Sequence, residues 1–339
     1  MRDPDNDASG EVRPVSLATI AAAAGVSIST VSRIVNGETR RASAETVKRV
    51  RKAIEATGYR PNSIGRALRS GESRLVAMLV ANLDNPAMAT IAASTEAALR
   101  TAGYVMILCD THDRAALQDE YLAAMRAQAV QGYVMVVARS SPGLAEMIGH
   151  GTPMVFVGRR NPLGGGAFVG IDNTGAGALV ADYLWQAGIR EPGILSPLEG
   201  SSSATRERME GFRSRYAALG LDPARIPEWR APGLAHVEIG YHAARLIGRR
   251  DAWPRGLLCV SDQLAYGAYR AARETGLHVP DDCRLVGIDG STLNPWLAPW
   301  LASVRVPYDR FGPAILQQLQ RIWSGTRPAE QLLTYGPVL

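Results

Sequence analysis

The chain has 339 residues with 46% hydrophobic and 20% charged residues, room for two or three globular domains at about 100–200 residues each. No apolar run reaches the ~18–20 residues of a membrane span, so no membrane partner is expected. The formal net charge of +5 is unevenly placed: residues 28–71 hold ten Arg/Lys against three Glu, whereas residues 72–339 balance to zero. A basic block at one end is an electrostatic footprint for phosphate. A solvated helix face is the plain alternative on charge alone.

Residues 1–15 are polar and acidic, lack the apolar core of a signal peptide, and read as a disordered tail. The cytoplasm, in association with the nucleoid, is the expected compartment. Ser16 is placed to cap a helix with apolar positions Leu17, Ile20, Ala21 and Ala24. Gly25 ends it, because glycine takes a left-handed turn cheaply. Ser27 caps a second helix over about 28–36, which buries Val31 and Ile34. Two helices joined by so tight a turn predict a helix-turn-helix, whose second helix enters the DNA major groove. Ala21 is small where the helices cross. Ser29, Ser32, Arg33 and Asn36 are left on the outer face, where base edges and phosphates would lie. Ser43 caps a third helix with an apolar face of Val47, Val50, Ala53 and Ile54, and Lys48, Arg49, Arg51 and Lys52 crowd it with charge. Gly58 closes it.

The following segment, YRPNSIGRALRSG, has too few apolar residues to fold alone, and a short helix there is marginal in water. Leu68, between Arg66 and Arg69, suits a minor-groove wedge; a plain linker is the alternative.

From Leu75 onward, apolar β-type runs alternate with helical stretches. Strands are predicted at 75–81, 104–109, 132–137, 153–158, 167–171, 192–196, 256–260 and 284–288. Helices include 87–102, 114–128, 174–188, 204–219, 237–250 and 262–275. This alternation predicts parallel sheets with helices on both faces, too long a run for one sheet. Ligands in such folds sit at the carboxyl ends of the strands. Cys109, Cys259 and Cys283 flank apolar runs and read as buried small residues. Without C-x-x-C or clustered histidines, no metal site or cofactor is expected.

The stretch FVGIDNTGAGALVA contains Gly175, Gly177 and Ala181, a G-x-G-x-x-x-A pattern near the dinucleotide fingerprint. An NAD(P) enzyme is the rival reading. The fingerprint wants a carboxylate just after the next strand, and only Glu199 is near. A helix capped by Asp172 or Asn173, with small residues packed on a sheet, accounts for the pattern better. Residues 200–204 lack the second glycine of a nucleophile elbow.

Taken together, LATIAAAAGVSISTVSRIVNG and AETVKRVRKAIEATGYRPNSIGRALRSG resemble the DNA-binding headpiece and hinge of the lactose/galactose/purine repressor (LacI/GalR) family. The resemblance continues to the C-terminus. It implies an all-α helix-turn-helix headpiece followed by an α/β core like a periplasmic sugar-binding protein, with two doubly wound lobes joined by three crossovers. The implied domains are a headpiece at 16–60, a hinge at 61–72 and a core at 73–339. One lobe is expected at about 73–159 with 292–323, the other at about 160–291 with 324–339. Ile28, Ser29 and Arg33 match base-reading positions, with Thr30, Ser32 and Asn36 beside them on the DNA side; Leu68 matches the intercalating hinge leucine, next to Arg66.

The resemblance places an effector between the lobes. Asn82, Asp84 and Asn85 follow the first strand, where family members present ligand-binding side chains. Met88 stands where an aromatic is often found. Arg159 matches a common arginine, with Gly158 in place of the frequent aspartate. Arg206 matches the effector-binding arginine, Ser261 and Asp262 the end of another strand, and Asp289 a cleft carboxylate. Such residues offer the paired donors and acceptors that polyol recognition needs. The expected protein is a regulator, a repressor, that binds a pseudo-palindromic operator in double-stranded DNA and answers to a sugar-like molecule. No leucine heptad trails the chain, so a homodimer is expected rather than a coiled-coil tetramer. A plain sugar-binding protein is disfavoured by the basic headpiece.

Overall fold

The computed structural model describes residues 16–35, 37–58, 73–198 and 202–339. The chain divides into two compact units after Ser73. The expected tail at 1–15, Asn36, and the hinge residues Arg66 and Leu68 lie outside the described residues.

The first unit is built from α1 (Leu17–Ala24), α2 (Ile28–Val35) and α3 (Ala44–Thr57). Ser16 caps α1 in a reciprocal box with Thr19, and Gly25 ends it at φ 62°, ψ 42°. That left-handed conformation turns the chain through 106° into α2. Ile20, Ala21, Ala24, Val31, Ile34, Val50 and Ala53 form one buried cluster. Every one of these is an apolar or small residue at helical spacing, so the periodicity alone positions the three helices. Ser43 accepts from Thr46 N–H and Gly58, at φ 62°, closes α3.

The second unit holds two all-parallel sheets. The first has the order β11-β5-β4-β3-β1-β2, with β1 at Leu75–Val80, β2 at Val105–Asp110, β3 at Gly132–Val136, β4 at Met154–Val157, β5 at Ala167–Ile171 and β11 at Glu330–Leu333. The second has the order β10-β9-β8-β6-β7, from Pro192–Pro197 (β6), Glu228–Ala231 (β7), Gly256–Cys259 (β8), Arg284–Asp289 (β9) and Ala302–Arg305 (β10). The registers align strand ends: Val80 pairs with both Asp110 and Val136, and Val136 with Val157. The loops that follow these strands therefore converge along one rim. The three cysteines are free and buried.

The sheets divide the chain differently from expectation. Strand 167–171 was placed in the second lobe, but it pairs with β4 and β11 in the first sheet. Strand 302–305 was placed in the first lobe, but it extends the second sheet beside β9, and 330–333 belongs to the first. The crossovers thus fall after Ile171, after Arg305 and after Leu333. Beyond the last, the C-terminus returns to β10, where Leu339 and Ser303 exchange backbone hydrogen bonds at 3.0 Å.

Close helix packing explains the glycines of the second lobe. A Cβ on Gly177 would lie 1.9 Å from Arg208 O, and one on Gly211 1.9 Å from Thr174 O. These reciprocal glycines let the helices Asn173–Gln186 and Ser203–Ala218 touch backbone to backbone. Gly177 thus serves a helix crossing, and Asp172 caps the first helix through Gly175 N–H. The small-residue pattern is packed against a neighbouring helix. Gly240 and Gly267 repeat the device, with Cβ positions 2.1 Å from Leu264 O and 1.9 Å from Val237 O.

Candidate DNA-reading helix and ligand cleft

On α2, Ile28 is 51% exposed although its neighbours Val31 and Ile34 are buried. A large apolar side chain at the first position of a helix otherwise edged by Ser and Arg has no core to join. Ser29 is exposed, and Ser32 and Arg33 are half-buried. The Arg33 Nε–H donates to Ser29 O at 3.2 Å, which holds the guanidinium along the helix. Thr30 is turned back: its Oγ1 lies 2.9 Å from Ser27 Oγ, and its N–H donates to the same oxygen. Thr30 therefore helps to cap α2. On α3, Lys48, Arg49, Arg51 and Lys52 are all exposed, a cationic face suited to phosphates.

In the second unit, a cleft of about 530 Å³ opens at the carboxyl ends of both sheets. Asn82, Asp84, Asn85 and Met88 line it from the segment after β1, and Arg159 from the end of β4. Asn85 caps the helix Pro86–Thr101 through Ala87 N–H, so its position is fixed by the helix start. From the other lobe come Pro197, Ser202, Thr205, His236 and Gln263. Four other predicted residues, Arg206, Ser261, Asp262 and Asp289, are not in the lining.

Ser261, Asp262 and Asp289 instead form a network behind the wall. Asp262, 2% exposed, accepts from Ser291 N–H at 2.9 Å, from Asn294 Nδ2 at 2.8 Å and from Ser303 Oγ. With three donors already placed, its carboxylate ties β10 to the connection between β9 and β10. Asp289 accepts from Asp262 N–H at 3.2 Å and from Tyr308 Oη at 2.6 Å. Loss of hydration, then the nearby Asp262, pushes the Asp289 carboxyl up to about 7. Ser261 caps its helix and lies 3.1 Å from His236 Nδ1. Burial, then the charge of Arg208, holds His236 below its usual pKa. The imidazole is thus kept neutral, able to donate from one nitrogen and accept at the other.

Helical phase accounts for Arg206. Met209, Phe212 and Tyr216 are the buried face of its helix, and Thr205 meets the cleft. Arg206 is rotated about 100° from Thr205 and is exposed. Two residues on, Arg208 turns inward instead: its Nε–H donates to Asn173 Oδ1 at 2.9 Å and its Nη1 to Val260 O at 2.7 Å. Arg208 is half-buried where Arg206 is exposed. Burial first, and then the charges of Arg139 and Arg206, holds the Arg159 guanidinium below its usual pKa.

The first lobe also contributes residues that the sequence reading passed over. His112, Asp113 and Val137 line the cleft, and all three have positive φ, at 48°, 53° and 61°. Such conformations are rare for residues with a Cβ, most of all for β-branched valine, and collect where a site over-determines the backbone. His112 and Asp113 follow β2 and Val137 follows β3, so the strand-end rule applied to every strand would have found them. Asp113 accepts from Arg139 Nη1 at 2.7 Å. Arg160 clasps the lobes together, binding Glu207 of the second lobe at 2.6 Å and Glu330 of the first.

The geometry defines a DNA-reading headpiece on a two-lobed binding domain. Residues 16–62 match the family described as bacterial regulatory proteins, lacI family, and residues 181–338 match the periplasmic binding protein-like domain. The HTH-type transcriptional regulator PtxS of Pseudomonas putida is 30% identical over 310 residues, covering 90% of this chain and 88% of that protein. The HTH-type transcriptional repressor PurR of Serratia proteamaculans is 30% identical over 324 residues, 94% of each chain. Among solved structures, the lac repressor dimer bound to operator and an anti-inducer superposes with a TM-score of 0.84 at 23% identity, over 96% of this chain and 98% of that one. A CelR–cellobiose complex gives 0.69 at 26% identity, with the same coverage. The chain belongs to the LacI family and is a transcriptional regulator, not an enzyme. Among the described residues no single helix is long and apolar enough to cross a membrane.

Proposed function

We propose that this regulator is a repressor that binds a pseudo-palindromic operator as a homodimer and is controlled by a sugar-like effector in the inter-lobe cleft. The observation that carries the reading is the cleft lining itself. Asn82, Asn85, Thr205, His236 and Gln263 offer donors and acceptors from both lobes on a partly apolar wall with Met88 and Ile239, the mixture a polyol needs. The cellobiose-bound neighbour supports the ligand class. Ile28, Ser29 and Arg33 would read base edges, one α2 per half-site, with Ser32 and Asn36 beside them. Residues 61–72 would form the hinge, with Leu68 as a minor-groove wedge next to Arg66. The regulator would work in the cytoplasm, on the nucleoid.

Dimerisation is supported by apolar side chains left in water. Trp296 is 82% and Leu297 73% exposed at the end of the second sheet's layer, and edge strand β2 exposes Val105 and Leu108. Exposed large apolar groups of this kind mark interaction surfaces. Effector binding would change the lobe angle and couple to the operator, typically by about 1–3 kcal/mol.

The test is operator affinity, measured on the chain's own upstream DNA at fixed salt with and without a panel of sugars and nucleobases. Tight binding that one compound shifts is expected. Binding without sequence preference or effector response would refute the reading. Sedimentation of wild type and Trp296→Lys separately tests the dimer: the variant is expected to dissociate at concentrations where the wild type does not.

A further inference from the structure

The helix α2 carries Ile28, Ser29, Ser32 and Arg33 within about 140° of its circumference, on the side away from the buried Val31 and Ile34. Three of the four are polar, and local bonds fix two of them. Ser29 Oγ lies 2.9 Å from Ser27 Oγ, and the Arg33 Nε–H donates to Ser29 O. Ile28 is the exception. Among the described residues it joins neither the buried cluster of the first unit nor the apolar side chains packed on that cluster, and it is exposed. A single exposed isoleucine is ordinary on a protein surface; its place on a DNA-reading edge gives it consequence. In the major groove every base edge carries hydrogen-bond donors or acceptors, and thymine alone adds an apolar group, the 5-methyl. An isoleucine pressed on any other edge strips water from polar groups and returns no hydrogen bond, which is costly. Isoleucine is also β-branched and held near one χ1 rotamer in a helix, so it loses little freedom on contact.

Resting on α2 as the DNA-reading helix, we infer that Ile28 reads the 5-methyl group of a pyrimidine: each operator half-site carries a thymine against Ile28, selected by apolar contact with no hydrogen bond. Acceptance and rejection come from the same side chain. The methyl favours the contact, and the bare polar edges of adenine, guanine and cytosine disfavour it. The polar part of the half-site falls to Ser29 and Arg33. Because the methyl itself is read, 5-methylcytosine satisfies the position better than cytosine does.

The experiment uses the full-length protein. Selection from a random DNA pool first gives the preferred half-site. Each thymine of either strand is then replaced by deoxyuridine, which lacks only the methyl, in both half-sites of a duplex, and affinity is measured at fixed salt. One position is expected to lose about tenfold, the product of roughly three- to fourfold for each buried methyl group. Ile28→Ser is expected to bind the thymine and deoxyuridine duplexes alike, a loss of coupling that a double-mutant cycle reads. At the same position, wild type should bind a 5-methylcytosine–guanine pair more tightly than cytosine–guanine, and Ile28→Ser should bind the two equally. Deoxyuridine tolerated at every position overturns the methyl readout and leaves the DNA-reading helix in place, because the sequence preference survives. A methyl effect of equal size in Ile28→Ser also overturns it, since another side chain then makes the contact. A selection that returns no preferred sequence overturns both the inference and the reading of α2 on which it rests.

Discussion

Replacing Asp289 by Asn should flatten the pH dependence of stability. Asp289 sits at the end of β9, with its carboxyl pushed up to about 7 first by lost hydration and then by Asp262. In the unfolded chain the same group titrates near 4. A carboxyl raised in this way leaves the fold most stable below the unfolded value, and that stability is lost as pH rises through the folded value. Integrating over one such group, roughly 1 kcal/mol disappears between pH 6 and pH 8. His236 acts oppositely in the same window, since its lowered pKa adds stability as pH rises, but it does so equally in both proteins. Urea unfolding at pH 6, 7 and 8 isolates the difference. Wild type should lose about 1 kcal/mol relative to Asp289→Asn over that range. Parallel curves would show that Asp289 is ionised at neutral pH, and the argument from its burial would be wrong.

Two more expectations follow from positions fixed by geometry. Gly211→Ala puts a Cβ 1.9 Å from Thr174 O, so the 173–186 and 203–218 helices must part. Overpacking costs about 1–3 kcal/mol where side chains can yield, and here backbone opposes it, so the urea midpoint should fall by at least that equivalent; an unmoved midpoint would dismiss the contact. Arg33→Ala should relax sequence preference and cost roughly 1–3 kcal/mol of operator affinity if Arg33 reads a guanine. Selection of binding sites from a random DNA pool gives the answer, and an unchanged preferred sequence would remove Arg33 from base reading.

The headpiece was readable almost residue by residue, because its helices carry caps, a left-handed glycine and strict apolar spacing within forty-odd positions. Seven of the eight strands read from sequence lie inside the sheets, and the eighth, β2, is an edge strand that keeps an apolar run. The three that escaped, EWRA, ASVR and EQLL, lie at sheet edges, where half-buried strands keep charges and lose the apolar signature. The lobe boundaries failed for a related reason. Which sheet a strand joins is decided by pairing over long separations, such as β11 with β5, and no local pattern records that. Asn82, Asn85, Met88 and Arg159 fall on the cleft lining, because strand ends are local features. Arg206 falls outside the lining because family spacing fixes a helix but not its phase; burial of Met209, Phe212 and Tyr216 fixes the phase.

The same packing limits how the protein can move. Gly177 with Gly211, and Gly240 with Gly267, press helix backbones of the second lobe together, so that lobe cannot deform without losing contacts made by both helices at once. In the first lobe, Gly312 meets Ser94 in the same way, with a Cβ position 2.0 Å from Ser94 O. Close-packed bodies of this kind rotate more cheaply than they bend. Among the described residues, three chain crossings join them, near 172, 306 and 334, and each is short. Among the described residues, the pairs Arg160 with Glu207 and Tyr308 with Asp289 are polar ties that span the join. Tyr308 is held on the first lobe through the neighbouring Asp309, whose carbonyl accepts from Ser94 Oγ at 2.6 Å. A change of lobe angle must therefore alter the Tyr308–Asp289 bond, and with it the hydration and charge of Asp289. Ligand binding in the cleft and proton binding at Asp289 are then linked quantities, so the protein should take up or release a fraction of a proton when its effector binds near pH 7. Titrating effector into the protein in buffers of different ionisation enthalpy measures that fraction directly. A binding enthalpy independent of the buffer would show that the lobes close without disturbing the tie.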